Sequence, residues 1–332
     1  MNLSGLINKY VSAYACAALA LSGLSAVAYA QSATYPIKGK PISIIVPYAA
    51  GGVTDTGARM MAAALEKELG TSVQVVNKVG AASQLGLTEL VRSAPDGHTL
   101  SYMVLPTVTT HYMVPGRDSL YTKKNFQPIA MHHYVPQVIA VLSTGPYKTL
   151  KDLVEAARAK PETIKISDSG LMAVPHSQVL MLERAANVRF ASVHFGGGAP
   201  SVTALLGGHV DALAGATADA LANKNTGQFR VLGIAADKPD KSMPEVPTMK
   251  SLGYDVAAAS WTGLVAPEGT PPQVVDILTK AVKKVIDSPE HSKKLETLGL
   301  APVYMDPAAY SKLWLDTEVR MKPLLESQIA KP

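Results

Sequence analysis

The chain of 332 residues has one cysteine, Cys16, and it lies within an apolar N-terminal stretch. Beyond residue 30 there is no thiol, which excludes disulfides, cysteine nucleophiles and thiolate metal sites and leaves stability to an apolar core. Past the same point no apolar run reaches the roughly 20 residues that a membrane-spanning helix needs. Charge is sparse as well, at 17% of residues with a net charge of +5. The basic residues are dispersed, Lys123-Lys124, Lys283-Lys284 and Lys293-Lys294 being no more than pairs, so no nucleic-acid partner is expected. G-x-S-x-G, H-E-x-x-H and phosphate-loop patterns are all missing. An exported serine hydrolase would have to combine Ser169 or Ser177 with His176 and Asp211. Neighbouring Ser and His side chains do not readily face each other, so catalysis is not expected.

What is present begins with an export signal over residues 1–30. Lys9 precedes an apolar stretch from Val11 to Ala28, and Ala28-Tyr29-Ala30 offers a small-residue exit before Gln31. Ala13 and Tyr14 stand where a lipoprotein signal wants a large aliphatic and a small residue, so lipidation of Cys16 is not expected. The expectation is a periplasmic protein starting near Gln31, with about 300 residues, enough for two α/β lobes.

Strand-like and helix-like runs alternate: Ile42 to Val46, Thr54 to Leu69, Val73 to Asn77, Gln84 to Arg92 and Thr99 to Leu105. A second series runs from Val138 to Ala235, and helices opening at or beside Pro272, Pro289 and Pro307 close the chain. This alternation predicts parallel strands with helical crossovers. Crossing segments near residues 134–142 and 254–265 divide the chain into a discontinuous lobe 1, residues 31–134 plus 255–332, and a lobe 2, residues 135–254.

Three Gly- or Ser-rich elbows follow strand candidates: Pro47 to Asp55, Ser167 to His176 and Phe195 to Pro200. In open α/β sheets ligands gather at the carboxyl ends of strands, where helix N-termini favour anions. The elbows contain no lysine or arginine, so a carboxylate would be held by backbone N–H groups and hydroxyls. Each such bond to a charged group contributes about 1.5–3 kcal/mol, and four or five reach micromolar affinity, about 8 kcal/mol. Taken singly, Thr54 also reads as an N-cap and Asp55 as a first-turn acid.

The motifs Val46-Pro47-Tyr48-Ala49-Ala50-Gly51-Gly52-Val53-Thr54-Asp55, Pro95-Asp96-Gly97-His98-Thr99-Leu100 and Leu206-Gly207-Gly208-His209-Val210-Asp211 occur in this order. Pro244-Glu245-Val246-Pro247-Thr248 and Trp261-Thr262-Gly263-Leu264-Val265-Ala266-Pro267-Glu268-Gly269-Thr270-Pro271 follow them. With Tyr35-Pro36 ahead of Pro41-Ile42, they make the chain resemble, over essentially its whole length beyond the signal, the periplasmic receptors of tripartite tricarboxylate transporters, the Bug family. The resemblance implies an α/β, two-lobed periplasmic binding protein of Venus-flytrap, type II-like form that grips an organic carboxylate between its lobes. It implies delivery of that ligand to membrane transporter subunits, a monomeric receptor and no cofactor or metal. A receptor presenting its ligand to a sensor or regulator would look the same.

Carried over residue by residue, the resemblance places ligand contacts at Tyr48, Ala49, Ala50, Gly51, Gly52, Val53, Thr54 and Asp55 of the first elbow. It places others at Ser167, Ser169, Gly170, Leu171, Met172 and His176 of the second. The chain departs from the family where Tyr48 replaces a usual Phe and where Val193-His194-Phe195-Gly196-Gly197 replaces a Val-Pro-Tyr-Lys-Gly pattern. Phe195, Gly196 and Gly197 of the third elbow and Trp261 as a flat wall complete the expected site. With Tyr48, Leu171, Met172 and Phe195 making the cleft apolar, an aromatic or medium-length dicarboxylate, terephthalate-like, is the expected ligand. His111, His132 and His133 resemble metal ligands, but adjacent histidines on a strand point to opposite faces and no third partner has ligand spacing.

Overall fold

The computed structural model describes residues 35–114 and 118–329; the export signal expected over residues 1–30 lies outside the described residues. The described residues from 39 onward form one compact unit. Its strands are β1 (Ile42–Val46), β2 (Val73–Asn77), β3 (Thr99–Leu105), β4 (Phe126–Leu142), β5 (Lys165–Asp168), β6 (Ala191–His194), β7 (Ala212–Ala216), β8 (Phe229–Ala235), β9 (Ala259–Pro267) and β10 (Ala301–Met305). The helices are α1 (Val53–Leu69), α2 (Gln84–Val91), α3 (Thr107–Met113), α4 (Leu150–Ala159), α5 (Val174–Ala186), α6 (Gly198–Leu206), α7 (Thr217–Asn225), α8 (Pro272–Ile286), α9 (Pro289–Thr297) and α10 (Pro307–Ile329). No described helix is long and apolar enough to cross a membrane.

The strands form one curled sheet in the order β2-β1-β3-β9-β4-β7-β5-β6, with β8 and β10 also paired to β4. Strands β1, β2 and β3 run parallel, as the alternating pattern requires, and β9 returns antiparallel between β3 and β4. The second section repeats the theme, β5 being parallel to β6 and β7. Both sections hang on β4, a strand of 17 residues. Residues Phe126 to Pro136 pair with β9, whereas Gln137 to Leu142 pair with β7 and β8. The change of partners falls between Pro136, which has no N–H to give a ladder, and Gln137.

Each section buries its own apolar cluster. Around β3 and the start of β4, Tyr310 and Trp314 of α10 pack on Met103, Leu105, Phe126 and Met131. In the other section Leu153 and Val154 of α4 and Val179 and Leu182 of α5 pack on Ile139 and Ile166. Helix α4 starts where the Thr149 hydroxyl accepts the Asp152 N–H at 3.1 Å while the Asp152 carboxylate accepts the Thr149 N–H at 2.9 Å. Burial of large apolar side chains, at about 1.5–3 kcal/mol each, holds the sections without any disulfide.

Candidate ligand site

Five strand-to-helix junctions deliver their helix starts to one cavity of about 50 Å³. Val53 and Thr54 open α1 after β1, Thr107 opens α3 after β3, Val174 and Pro175 open α5 after β5, and Gly198 opens α6 after β6. Ala216 and Asp219, at the start of α7 after β7, complete the ring, with Gln137 of β4 and Ser260 and Thr262 of β9 between them. The residues preceding four of these helices, Gly52, Pro106, Ala173 and Gly197, make no side-chain cap. First-turn N–H groups have no intrahelical partner, and an uncapped N-terminus carries a partial positive charge. That wall of the cavity therefore offers hydrogen-bond donors and a field that favours an anion.

The first elbow is held by its own carboxylate. Asp55, 3% exposed, accepts the Gly51 N–H at 2.9 Å, the Arg59 Nε–H at 2.9 Å and the Asn77 amide at 2.9 Å. Burial pushes its pKa up, but the bonds from Arg59, Gly51 and Asn77 outweigh that and hold it below the usual carboxylate range. The Asn77 amide also donates to the Tyr48 carbonyl at 3.0 Å, so β2 clamps both ends of the elbow. Gly51 adopts φ of 83°, a conformation that favours glycine, and this turns its N–H toward Asp55.

The two sheet sections touch around the cavity. The Ala49 N–H donates to the Gly196 carbonyl at 3.2 Å, which ties the first elbow to the third. A Cβ on Gly197 would lie 3.3 Å from the Ala49 nitrogen, and one on Gly170 would lie 3.1 Å from the Ala82 side chain. The bare backbones of these glycines let the second and third elbows lie against the first section.

Residues 57–329 match the family model of the tripartite tricarboxylate transporter family receptor, TctC. The chain belongs to that family. A Cupriavidus necator protein encoded in the gbd 5′ region is 32% identical over 317 residues, covering 93% of this chain and 94% of that one. The structure of the periplasmic binding protein BugD superposes with a TM-score of 0.82 at 28% identity, covering 86% of this chain and 97% of BugD. MatC from Rhodopseudomonas palustris with bound malate superposes with a TM-score of 0.81 at 28% identity, covering 87% and 99% of the two chains. The fold is that of the two-lobed periplasmic binding proteins, and the family consists of solute-binding receptors.

Within this receptor the residues singled out by sequence fall in several places. Tyr48, Gly52, Val53, Thr54 and Ser169 line the cavity. Ala49, Gly170, Gly196 and Gly197 join the two sections, while Ala50 and Gly51 are exposed at the rim and Asp55 braces the elbow from behind. Ser167 is buried, its hydroxyl donating to the Ser201 carbonyl at 3.2 Å. Leu171 is 52% exposed, and Met172 donates its N–H to His176 Nδ1 at 3.0 Å. Phe195 packs on the cluster around Val138 and Leu205. Trp261 stacks on Tyr134 at 4.9 Å; because side chains alternate along a strand, its neighbours Ser260 and Thr262 reach the cavity instead.

Val174, Pro175 and Gly198 of the second and third elbows line the cavity too, and Val104, Thr107, Gln137, Ala216, Asp219, Ser260 and Thr262 join them from outside the expected elbows. For Asp219 the signal was there in Ala212 to Asp219, a small-residue strand running into a helix with an acid at its third position. It is a fourth elbow of the kind found at the other strand ends.

The histidines depart from expectation. A bulge in the β4–β9 pairing between Met131 and His133 lets both adjacent histidines face one buried cluster, their Nδ1 atoms 3.0 Å apart. A third histidine does join them, His291, whose Nε2 lies 2.9 Å from that of His132. Burial pushes the pKa of His133 down to about 3, with the nearby His291 adding to the effect. His111 lies elsewhere, bonded to the Tyr121 hydroxyl and, at 2.9 Å, to the Ala82 carbonyl.

Among the described residues, Asp168, His176 and His194 form a trio that could hold a metal ion, with one ligand atom each within 4.8 Å of the others. In this structure His194 Nδ1 donates to Asp168 at 2.9 Å, a bond that raises the pKa of His194 against the opposing effect of burial. His176 spends Nδ1 on Met172, and burial pushes it down to about 4. Ser177 has a buried hydroxyl without a partner and Asp211 accepts the Lys165 N–H, so Ser177, His176 and Asp211 are not joined in a hydrogen-bonded triad.

Proposed function

We propose that this chain is a periplasmic receptor that captures a small organic carboxylate in the cavity at the five helix starts and delivers it to the membrane subunits of a tripartite tricarboxylate-type transporter. The observation that carries the reading is the convergence of uncapped helix N-termini, with no lysine or arginine on the cavity wall. Such a wall suits a carboxylate that must be released again, because each contact is a modest backbone bond. In this reading residues 1–30 are a cleaved export signal, and the lobes are residues 31–134 with 255–332 and residues 135–254, hinged where β4 changes partners. The protein binds its ligand without turning it over.

For the ligand itself, a dicarboxylate of short to medium length is favoured. MatC, at 28% identity, holds malate. An aromatic acid of terephthalate type draws support from Tyr48, which lines the cavity, but Leu171, Phe195 and Trp261 do not. A cavity of about 50 Å³ would have to widen for any dicarboxylate, and more for a benzene ring with two carboxylates. Calorimetry over aliphatic and aromatic mono-, di- and tricarboxylates, including citrate and terephthalate, tests the reading. One reversible site for at least one carboxylate and no product by mass spectrometry are expected; silence across the whole panel overturns it.

A further inference from the structure

The cavity has a second wall whose chemistry is the reverse of the first. Asp219 stands on it as the third residue of α7, and its described partner is a single backbone group, the Ala216 N–H, at 3.1 Å from Oδ2. No described lysine or arginine pairs with it. Its carboxylate lies against the first residue of α6, where a Cβ on Gly198 would come within 2.5 Å of Oδ1. A glycine at that position makes room for the acid.

Gln137 stands beside it, its Cα registered against Ala216 across the β4–β7 pair. The Gln137 amide nitrogen donates to the Val135 carbonyl at 3.0 Å and to the Ser260 hydroxyl at 3.0 Å. A main-chain carbonyl only accepts, so this pairing fixes which end of the amide carries the hydrogens. The other end, Oε1, is then an acceptor, and it is buried without a partner on a side chain that is 0% exposed. Leaving a buried acceptor unmet is costly, and so is an ionised carboxylate without a cation.

A ligand that brings only a carboxylate answers the helix starts and leaves these two acceptors as they were. A second carboxylate placed here would meet Asp219 as a like charge. Resting on the carboxylate reading above, we propose that Asp219 and Gln137 select a carboxylate that also carries a hydrogen-bond donor close by, an ammonium or a hydroxyl group, with Asp219 favouring the ammonium. The state of Asp219 agrees: burial pushes its pKa up to about 6, the mark of an acid in need of a positive neighbour, while leaving it ionised at neutral pH. The two walls together then bind a zwitterion or a hydroxy acid in one orientation, carboxylate to the helix starts and donor to the acid.

The test compares acids that differ only in the donor: succinate, malate and aspartate; propionate, lactate and alanine; 3-phenylpropionate, phenyllactate and phenylalanine. Calorimetry at pH 7.5 on the wild-type chain should show, on whichever skeleton binds, the amino or hydroxy member at least tenfold tighter than the plain acid. Asp219→Asn, checked for folding by near-UV circular dichroism, should weaken the amino member at least tenfold and the hydroxy member less, so that the preference for the amino member over the plain acid falls at least tenfold. A plain acid that matches its donor-bearing partners in the wild type overturns the proposal without any variant, as does an unchanged ratio in Asp219→Asn. Either result leaves the carboxylate site standing, whereas failure of every carboxylate to bind removes that site and this inference together.

Discussion

Two aspartates occupy the same place in two helices and meet opposite fates. Asp55 and Asp219 are each the third residue of a helix that follows a sheet strand, α1 and α7. A carboxylate there is favoured by the helix dipole in both cases. Asp55 gathers Gly51, Arg59 and Asn77, and these bonds carry its pKa below the ordinary range against the push of burial. Asp219 has the Ala216 N–H alone, and burial carries its pKa up to about 6. Helix position therefore sets neither acid's role; the neighbours supplied by other elements do. One acid has been spent on building the elbow, and the other is left for something that comes from outside.

The largest expected effect comes from removing the satisfied acid. Asp55→Ala takes the shared acceptor from the Gly51 N–H, the Asn77 amide and the Arg59 guanidinium, and should cost about 2–4 kcal/mol in urea unfolding at pH 7. Asp219→Asn should cost nothing at that pH or raise stability; equal losses at both positions would break the comparison.

The pH dependence sharpens it. A carboxyl whose folded pKa is raised binds its proton more tightly folded than unfolded, so its contribution to stability falls as pH rises between about 4 and about 6. Asp219→Asn minus wild type should therefore grow by about 1–3 kcal/mol from pH 4 to pH 7. Asp55→Asn should show the opposite sign, because a depressed carboxylate gives stability that is present above the unfolded pKa and lost on acidification. Differences between variant and wild type are the quantity to read. The chain as a whole should lose stability below about pH 6.5, where the unfolded state protonates histidines that the fold keeps neutral, His176 down to about 4 and His133 down to about 3.

Smaller effects follow at the glycines. Gly198→Ala places a methyl 2.5 Å from the Asp219 carboxylate and should cost about 1–2 kcal/mol in thermal unfolding, with most of the loss recovered in an Asp219→Ala background. No coupling between the two substitutions would mean that the carboxylate lies elsewhere. Gly51→Ala meets no atom within 4 Å but must hold φ near 83°, so about 1 kcal/mol is expected and no rescue by any change at residue 219.

Much of the fold was open to reading in the sequence because its signals are local. Ile42–Val46, Val73–Asn77 and Thr99–Leu105 match their expected bounds, each a short β-rich run set off by Pro, Gly or Asn. The first half of β4 escaped because Pro128 and Pro136 argue against a strand, although the pairing with β9 shifts register just after Pro128 and ends at Pro136. Helix α7 escaped because Thr217 to Asn225 shows little apolar periodicity, and α3 because it has only seven residues.

The site divides along the same line. Glycines and helix starts are visible in one elbow at a time, and the first elbow supplied four of the five expected residues that line the cavity. Trp261 was misplaced by one residue because strand alternation has two phases, and only the pairing with Tyr134 decides between them. Gln137 and Asp219 become neighbours only through the register of β4 on β7, information that belongs to no single stretch of chain.

Gln137 stands at the first residue of β4 that has left β9 for β7 and β8, and its amide still reaches back to Ser260 of β9. A side chain placed there is a rivet through the joint. Whatever settles against its carbonyl oxygen would bear on β4, the strand that pairs with both sections.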